Sequence, residues 1–256
     1  MKSYFECELK RCFFAKESFF AMCIILISLI IPYFNELKVA YPEADSLIYF
    51  IRVRTCLMTS YFPLIAPLVA CIPSATKYIS DKKSRMINNI LLKIERKKYF
   101  RIRVVVNFLV SGLVILIPQL CMLTFLLLKY GVNNTTMDVF GAFSYIFSYS
   151  KLLYVIILLI LSFISSAVYS SFALGISAIV ENKYLTMLIP FVYIIISGTI
   201  FEIMGINQIF PLNIMILFDP SYNGNLTFLN ILIYLIILLF TGITLFFYFG
   251  EKNNYE

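Results

Sequence analysis

Residues Ser74 to Arg103 read SATKYISDKKSRMINNILLKIERKKYFRIR. The stretch carries ten Lys or Arg against two acids, Asp81 and Glu95, a net charge of +8 that exceeds the +7 of the whole 256-residue chain. The sequence on either side is apolar enough to lie in a bilayer, so this stretch is the part that faces water and any aqueous partner. The fold is read outward from it.

Hydrophobic residues make up 61% of the chain and charged residues 14%, with a mean hydropathy of +0.89. That balance belongs to an integral membrane protein, with the lipid bilayer as its solvent. The basic charge gathers at the ends of apolar runs, where a positive-inside bias puts it, so no nucleic-acid partner is expected. There is no histidine, which removes the commonest general base and most metal chemistry inside a membrane. Neither GxxxxGKS/T nor GxGxxG occurs, so neither phosphate-binding loop is present. The six cysteines (Cys7, Cys12, Cys23, Cys56, Cys71, Cys121) form no CxxC pair and read as small hydrophobes. No catalytic residue, metal ligand or cofactor is therefore assigned to this chain. An intramembrane enzyme would also need paired carboxylates that the apolar runs lack.

The expected fold is all-α: one transmembrane domain over residues 1–256, with six spans at about 18–34, 56–73, 104–128, 152–180, 185–204 and 226–250. Residues 1–17 place Phe5, Leu9, Cys12 and Phe13 on one helical face, the pattern of a helix lying in the membrane interface. The first span follows a mixed-charge lead without a small-x-small cleavage pattern and is expected to be retained. Asn35 to Thr55 reads as a polar outer connection, and Lys129 to Lys151 as a polar to aromatic one. In the second span Pro63, Pro67 and Pro73 remove backbone donors, which marks Pro63 and Pro67 as pathway or gating candidates. Ser162, Ser166 and Ser170, continued by Ala173 and Ser177, form a small-residue stripe along the fourth span. Glu202, near the end of the fifth, is costly in hydrocarbon and is a third pathway candidate. Between spans five and six, the apolar run Ile206 to Phe218, broken by Pro211, reads as a segment dipping back into the interface. Asp219-Pro220 and Asn223-Gly224 then mark turns.

Six spans put both termini on one side. That side would hold 16 of the 21 Lys and Arg, which makes it cytoplasmic. The abundance of Ile, Phe, Tyr, Asn and Lys points to an AT-rich bacterial genome and hence to a bacterial plasma membrane.

Inside the basic stretch Asp81 or Ser84 is positioned to cap a helix on which Ile87, Ile90, Leu91 and Ile94 share one face. Such a helix docks into a soluble partner, rests on anionic lipid, or merely connects two spans. Asp81 to Arg101 resembles the segment between the second and third spans of type-2 ABC exporter permeases: a charged lead, here Asp81 to Ser84, a short run ending in paired aliphatics, here Leu91-Leu92, then a basic cluster, here Arg96 to Lys98. The interfacial helix, six spans and re-entrant segment are similar as well. Family members often carry Glu-Arg-x-x-Gly-Thr as the lead, whereas this chain has Asp81-Lys82-Lys83-Ser84-Arg85-Met86 and no glycine turn. The resemblance implies a coupling helix docked on a separate ATP-hydrolysing ABC subunit through Asp81, Ser84, Arg85, Met86, Ile87, Ile90, Leu91 and Ile94. ATP and magnesium would be held by that partner. It further implies a second permease chain, the same or homologous, and outward transport of a hydrophobic or amphipathic molecule such as an antimicrobial peptide or drug. The other reading is a non-transporting scaffold or sensor whose basic loop recruits a regulator or anionic lipid.

Overall fold

The computed structural model describes residues 2–37, 45–55, 60–84, 86–133, 139–180, 182–206, 210, 212–221 and 226–252, which are helical with connecting turns and no strand. In order come α1 (Lys2–Phe13), α2 (Lys16–Glu36), α3 (Ser46–Arg54), α4 (Phe62–Lys83), α5 (Met86–Leu91) and α6 (Arg96–Tyr130). Then follow α7 (Ser144–Tyr149), α8 (Lys151–Ile179), α9 (Lys183–Ile195), a π-helical turn (Ile196–Ile200), α10 (Phe201–Ile203), α11 (Met215–Phe218) and α12 (Phe228–Lys252). Among the described residues, six stretches are long and apolar enough to cross a bilayer: α2, α4, α6, α8, the run from Tyr184 to Ile203, and α12. The chain is a multi-pass membrane protein.

The small-residue stripe explains the packing. Ser162, Ser166, Ser170, Ala173 and Ser177 are all buried, and α8 packs against α4, α6 and α12. Ser170 Oγ donates to Ser111 Oγ of α6 at 2.7 Å and Asn107 Nδ2 donates to Ser170 Oγ at 3.2 Å, pairing the helices, while Ser166 and Ser177 turn their hydroxyls back to carbonyls of α8 itself. Contact with α12 is closer still. A Cβ added at Gly175 would stand 2.5 Å from the Gly242 carbonyl oxygen, so both positions need glycine for the backbones to touch.

The bundle has two ends. At the basic end α5, the ends of α4, α8 and α12 and the start of α6 meet in a cluster of Tyr78, Ile87, Tyr99, Phe100, Leu174, Ala178 and Phe246, with Tyr4 of α1 packed against it. At the opposite end the Ser46 amide donates to the Gly131 carbonyl at 3.1 Å, and Lys151 Nζ donates to Asp45 Oδ2 at 2.7 Å.

Several elements differ from the sequence expectation; α6 starts at Arg96 rather than near 104, so the basic residues Arg96 to Arg103 lie on its first two turns, and α7 forms within the expected connection 129–151. The second span was expected over 56–73, but its helix begins at Phe62, with Pro63 in the first turn where a missing N–H costs nothing, and runs on to Lys83. Residues 56–59 lie outside the described set. The helix passes Pro73 because Tyr78, Ile79 and Asp81 are buried against neighbours that hold the extra turns. Asp81 and Ser84 therefore do not start a coupling helix: Asp81 sits in the last turn of α4, and Ser84 is its C-cap. The supposed polar connection 35–55 contains α3, whose Leu47, Tyr49, Phe50, Ile51 and Val53 are buried against α2 and α6. The fifth span is interrupted by the π turn, whose Ser197 is buried.

Candidate functional site

Four charged side chains from three helices meet at the basic end. Glu8 and Arg11, three residues apart on α1, face Asp81 of α4 and Arg103 of α6. Arg11 donates to Glu8 Oε1 at 2.7 Å, to Asp81 Oδ2 at 2.5 Å and to Asp81 Oδ1 at 3.1 Å. Arg103 pairs with Glu8 and brings Nη2 within 3.0 Å of Asp81 Oδ2. Lys77 donates to the Arg11 carbonyl. Both carboxylates are almost fully buried, a state that is costly for a lone charge and tenable because each meets two guanidinium groups. Burial pulls the Arg11 guanidinium down, but its bonds to Asp81 and Glu8 outweigh this and the net direction is up. Burial, reinforced by the charge of Glu8, pushes the Tyr4 phenol well up.

This knot fixes the two helix ends that carry α5. Ser84 Oγ donates to the Asp81 carbonyl at 3.3 Å, and Arg11 Nη1 donates to Met86 Sδ at 3.2 Å. Arg85 lies outside the described residues. Ile87 is buried, and Ile90, Leu91 and Ile94 pack on the basic-end cluster. The face with helical apolar spacing thus turns toward the protein's own core. What remains outward is Met86, Asn88, Asn89 and Leu92, the last 85% exposed, with Lys93, Lys97 and Arg101 exposed in the residues that follow. Periodicity identified the apolar face but carries no information about what covers it. The missed partners on the receiving side, Tyr78, Tyr99, Phe100 and Phe246, look in sequence like any of the chain's 25 Phe and 18 Tyr.

No family model, no curated protein and no solved structure matches this chain.

A second polar constellation lies at the opposite end. Arg54, the last residue of α3, is 2% exposed; its Nη2 donates to Ser162 Oγ of α8 and, at 2.9 Å, to the Phe218 carbonyl. Its guanidinium carbon stands 5.3 Å over the Phe62 ring. Burial pulls the Arg54 pKa down to about 10, against the stabilising charge of Asp219, so the side chain is still a cation at neutral pH. Ser165 Oγ donates to the Leu217 carbonyl at 2.8 Å and Tyr234 OH to the Leu212 carbonyl at 2.5 Å. The segment 212–221 is therefore stitched to α3, α8 and α12, with Ile214, Ile216, Leu217 and Phe218 buried. Pro211, Asn223 and Gly224 lie outside the described residues.

Of the pathway candidates, Pro63 and Pro67 are buried in α4, whereas Glu202 is exposed in α10. The structure does not gather the three around one polar cavity. The charge of Arg54 places it in an outer loop on sequence grounds, whereas the structure buries it. A signal for its burial was available in the apolar run from Leu47 to Val53 that it terminates.

Proposed function

We propose that this chain is the membrane-spanning permease subunit of an ATP-driven exporter of the type-2 ABC kind. Its basic end and both termini lie in the cytoplasm of a bacterial cell, and it works with a second permease chain. A separate ATPase subunit supplies ATP, magnesium and the hydrolysis. The substrate is hydrophobic or amphipathic, of the antimicrobial-peptide or drug class, and crosses outward. The apolar run Ile206 to Phe218, described over 206, 210 and 212–218, serves as the re-entrant outer segment.

The observation that carries the reading is the suspension of α5. It hangs between α4 and α6, whose ends are locked to α1 by Glu8, Arg11, Asp81 and Arg103. A push on Met86 to Leu92 is then delivered to two spans at once, because the apolar side of α5 is already packed on their ends. A plain connector has no need of that rigidity. The exposed Met86, Asn88, Asn89 and Leu92 are the groups that meet the partner, a revision of the apolar face first expected to do so.

The test is copurification from the native membrane after mild crosslinking. An ATP-hydrolysing subunit is expected with the wild type and lost with Leu92→Glu, while Ile90→Glu disrupts the chain's own packing and lowers its yield. Recovery of the chain without any ATPase would sink the exporter reading. The scaffold alternative draws on the exposed Lys83, Lys93, Lys97 and Arg101, and binding of the chain's basic end to anionic vesicles in the absence of an ATPase would favour it.

A further inference from the structure

Between α8 and α12 the bundle leaves a slot of about 670 Å³. Its floor is formed by Leu161, Val168, Ile231 and Phe108 of α6, and every side chain lining it is hydrocarbon. At the end nearer the basic stretch the slot stops where Gly175 and Gly242 bring the two backbones together. Near the other end the Phe143 and Phe228 rings meet with centroids 5.9 Å apart. These contacts bound the slot at its two ends.

Its length and chemistry specify an occupant. Lining residues on α8 run from Ile157 to Val168, which at 1.5 Å per residue is about 17 Å, and begin about 9 Å from Lys151. Half of a hydrocarbon core of about 30 Å is about 15 Å, so the slot matches the depth of a single leaflet. A lining without a donor or acceptor gives a headgroup or charged ligand nothing to bind. An unbranched chain can lie along the whole slot and recover the dispersion contacts an empty slot forfeits, whereas a partner helix would fill it only where a side chain on one of its ridges falls. We propose that the slot is a binding site for one acyl chain of a bilayer phospholipid, in the leaflet at the Lys151 end. This assignment needs only that the chain spans a membrane and is independent of the exporter reading.

The chain contains no tryptophan, so a single introduced Trp reports the site. Leu235→Trp and Leu232→Trp place the reporter in the slot wall, and Ile237→Trp places it on the exposed face of α12 outside the slot. Each variant is purified in detergent and titrated with phosphatidylcholine brominated on its acyl chains, then reconstituted into vesicles made wholly of that lipid. The expected result is quenching of a slot reporter that saturates at one lipid per chain, while Ile237→Trp follows total lipid. Two slot positions keep the test open if one variant folds poorly. Equal titration at all three positions identifies ordinary boundary lipid and overturns the site. Slot reporters that stay bright in wholly brominated vesicles show the slot covered by protein, a second copy or a partner helix, and overturn it as well.

Discussion

Asp81 shows how much a single residue contributes to this molecule. It accepts from Arg11 and faces Arg103, so Asp81→Asn leaves two guanidinium groups sharing one carboxylate, that of Glu8, in a buried place. Breaking a buried pair of this kind costs about 3–5 kcal/mol, and the variant should lose thermal stability by that order in detergent or in vesicles. Lys93→Ala, on the exposed rim, should change stability by less than about 0.5 kcal/mol. Cys12 offers a second readout of the same knot. Burial pushes its thiol above the ordinary 9.0, more than nearby Arg103 pulls it down. With a raised folded-state value, the docked thiol favours the folded protein at low pH, and that contribution is lost as pH rises through the folded value, above 9.0. Alkylation at pH 8 should therefore modify exposed Cys7 and spare Cys12, and Glu8→Gln should bring Cys12 into reach. Equal labelling of the two thiols in the wild type would show that α1 is not docked as described.

At the scale of elements, the connection between α3 and the segment 212–221 is the sharpest local case. Arg54→Met removes the donor to Ser162 and to the Phe218 carbonyl, and with it the charge that Asp219 stabilises. Asp219 also accepts from the Ser221 amide and hydroxyl, so Asp219→Asn should cost less in the Arg54→Met background than in the wild type; thermal unfolding of both single variants and the double variant measures the coupling. A cycle with no coupling would mean that the two groups act independently. Gly141 is the companion test. It has φ 97°, and a Cβ there would stand 2.1 Å from the Pro220 carbonyl oxygen, so Gly141→Ala should displace the connection before α7 from 219–221. These contacts join segments far apart in sequence, and that is why they were illegible beforehand. Apolar run length revealed α2, α8 and α12 almost to their ends and the far end of α6, since in lipid a helix must satisfy its own backbone whatever its neighbours; the first two turns of α6, from Arg96, are too basic to register as apolar. It failed at α3 and at the last turns of α4, where neighbouring protein rather than hydrocarbon buries the chain. The stripe from Ser162 to Ser177 was legible as an interface because small residues have a geometric consequence of their own. Its partners were not.

For the whole molecule, the partition of exposed and buried surface separates what is shared with lipid from what is offered to water. α12 is mostly outward, the run Tyr184–Ile203 more so, while α4 and α8 are enclosed. An exporter built on this plan should hydrolyse ATP only when the ATPase and this chain are reconstituted together, and Leu92→Glu should uncouple them without lowering the chain's own thermal stability, since Leu92 is 85% exposed. If Leu92→Glu leaves coupled hydrolysis unchanged, the outward face of α5 is not where force enters.

The enclosure of α4 also bears on how the chain is made. It is the least apolar of the six spans, and 67% of its apolar window is buried inside the protein, against 28% for α12. During synthesis α4 emerges before α6 and α8, whose surfaces later cover it, and before Arg103 of α6 can pair with Asp81. A nascent chain ending at residue 95 should therefore fail to hold α4 across the membrane, remaining extractable by alkaline carbonate or retaining the wrong topology. Extension past Ile179 should convert it to a stable span. The order in which helices leave the insertion machinery is in this way written into the burial pattern: α4 waits at the exit for partners that have not yet been translated.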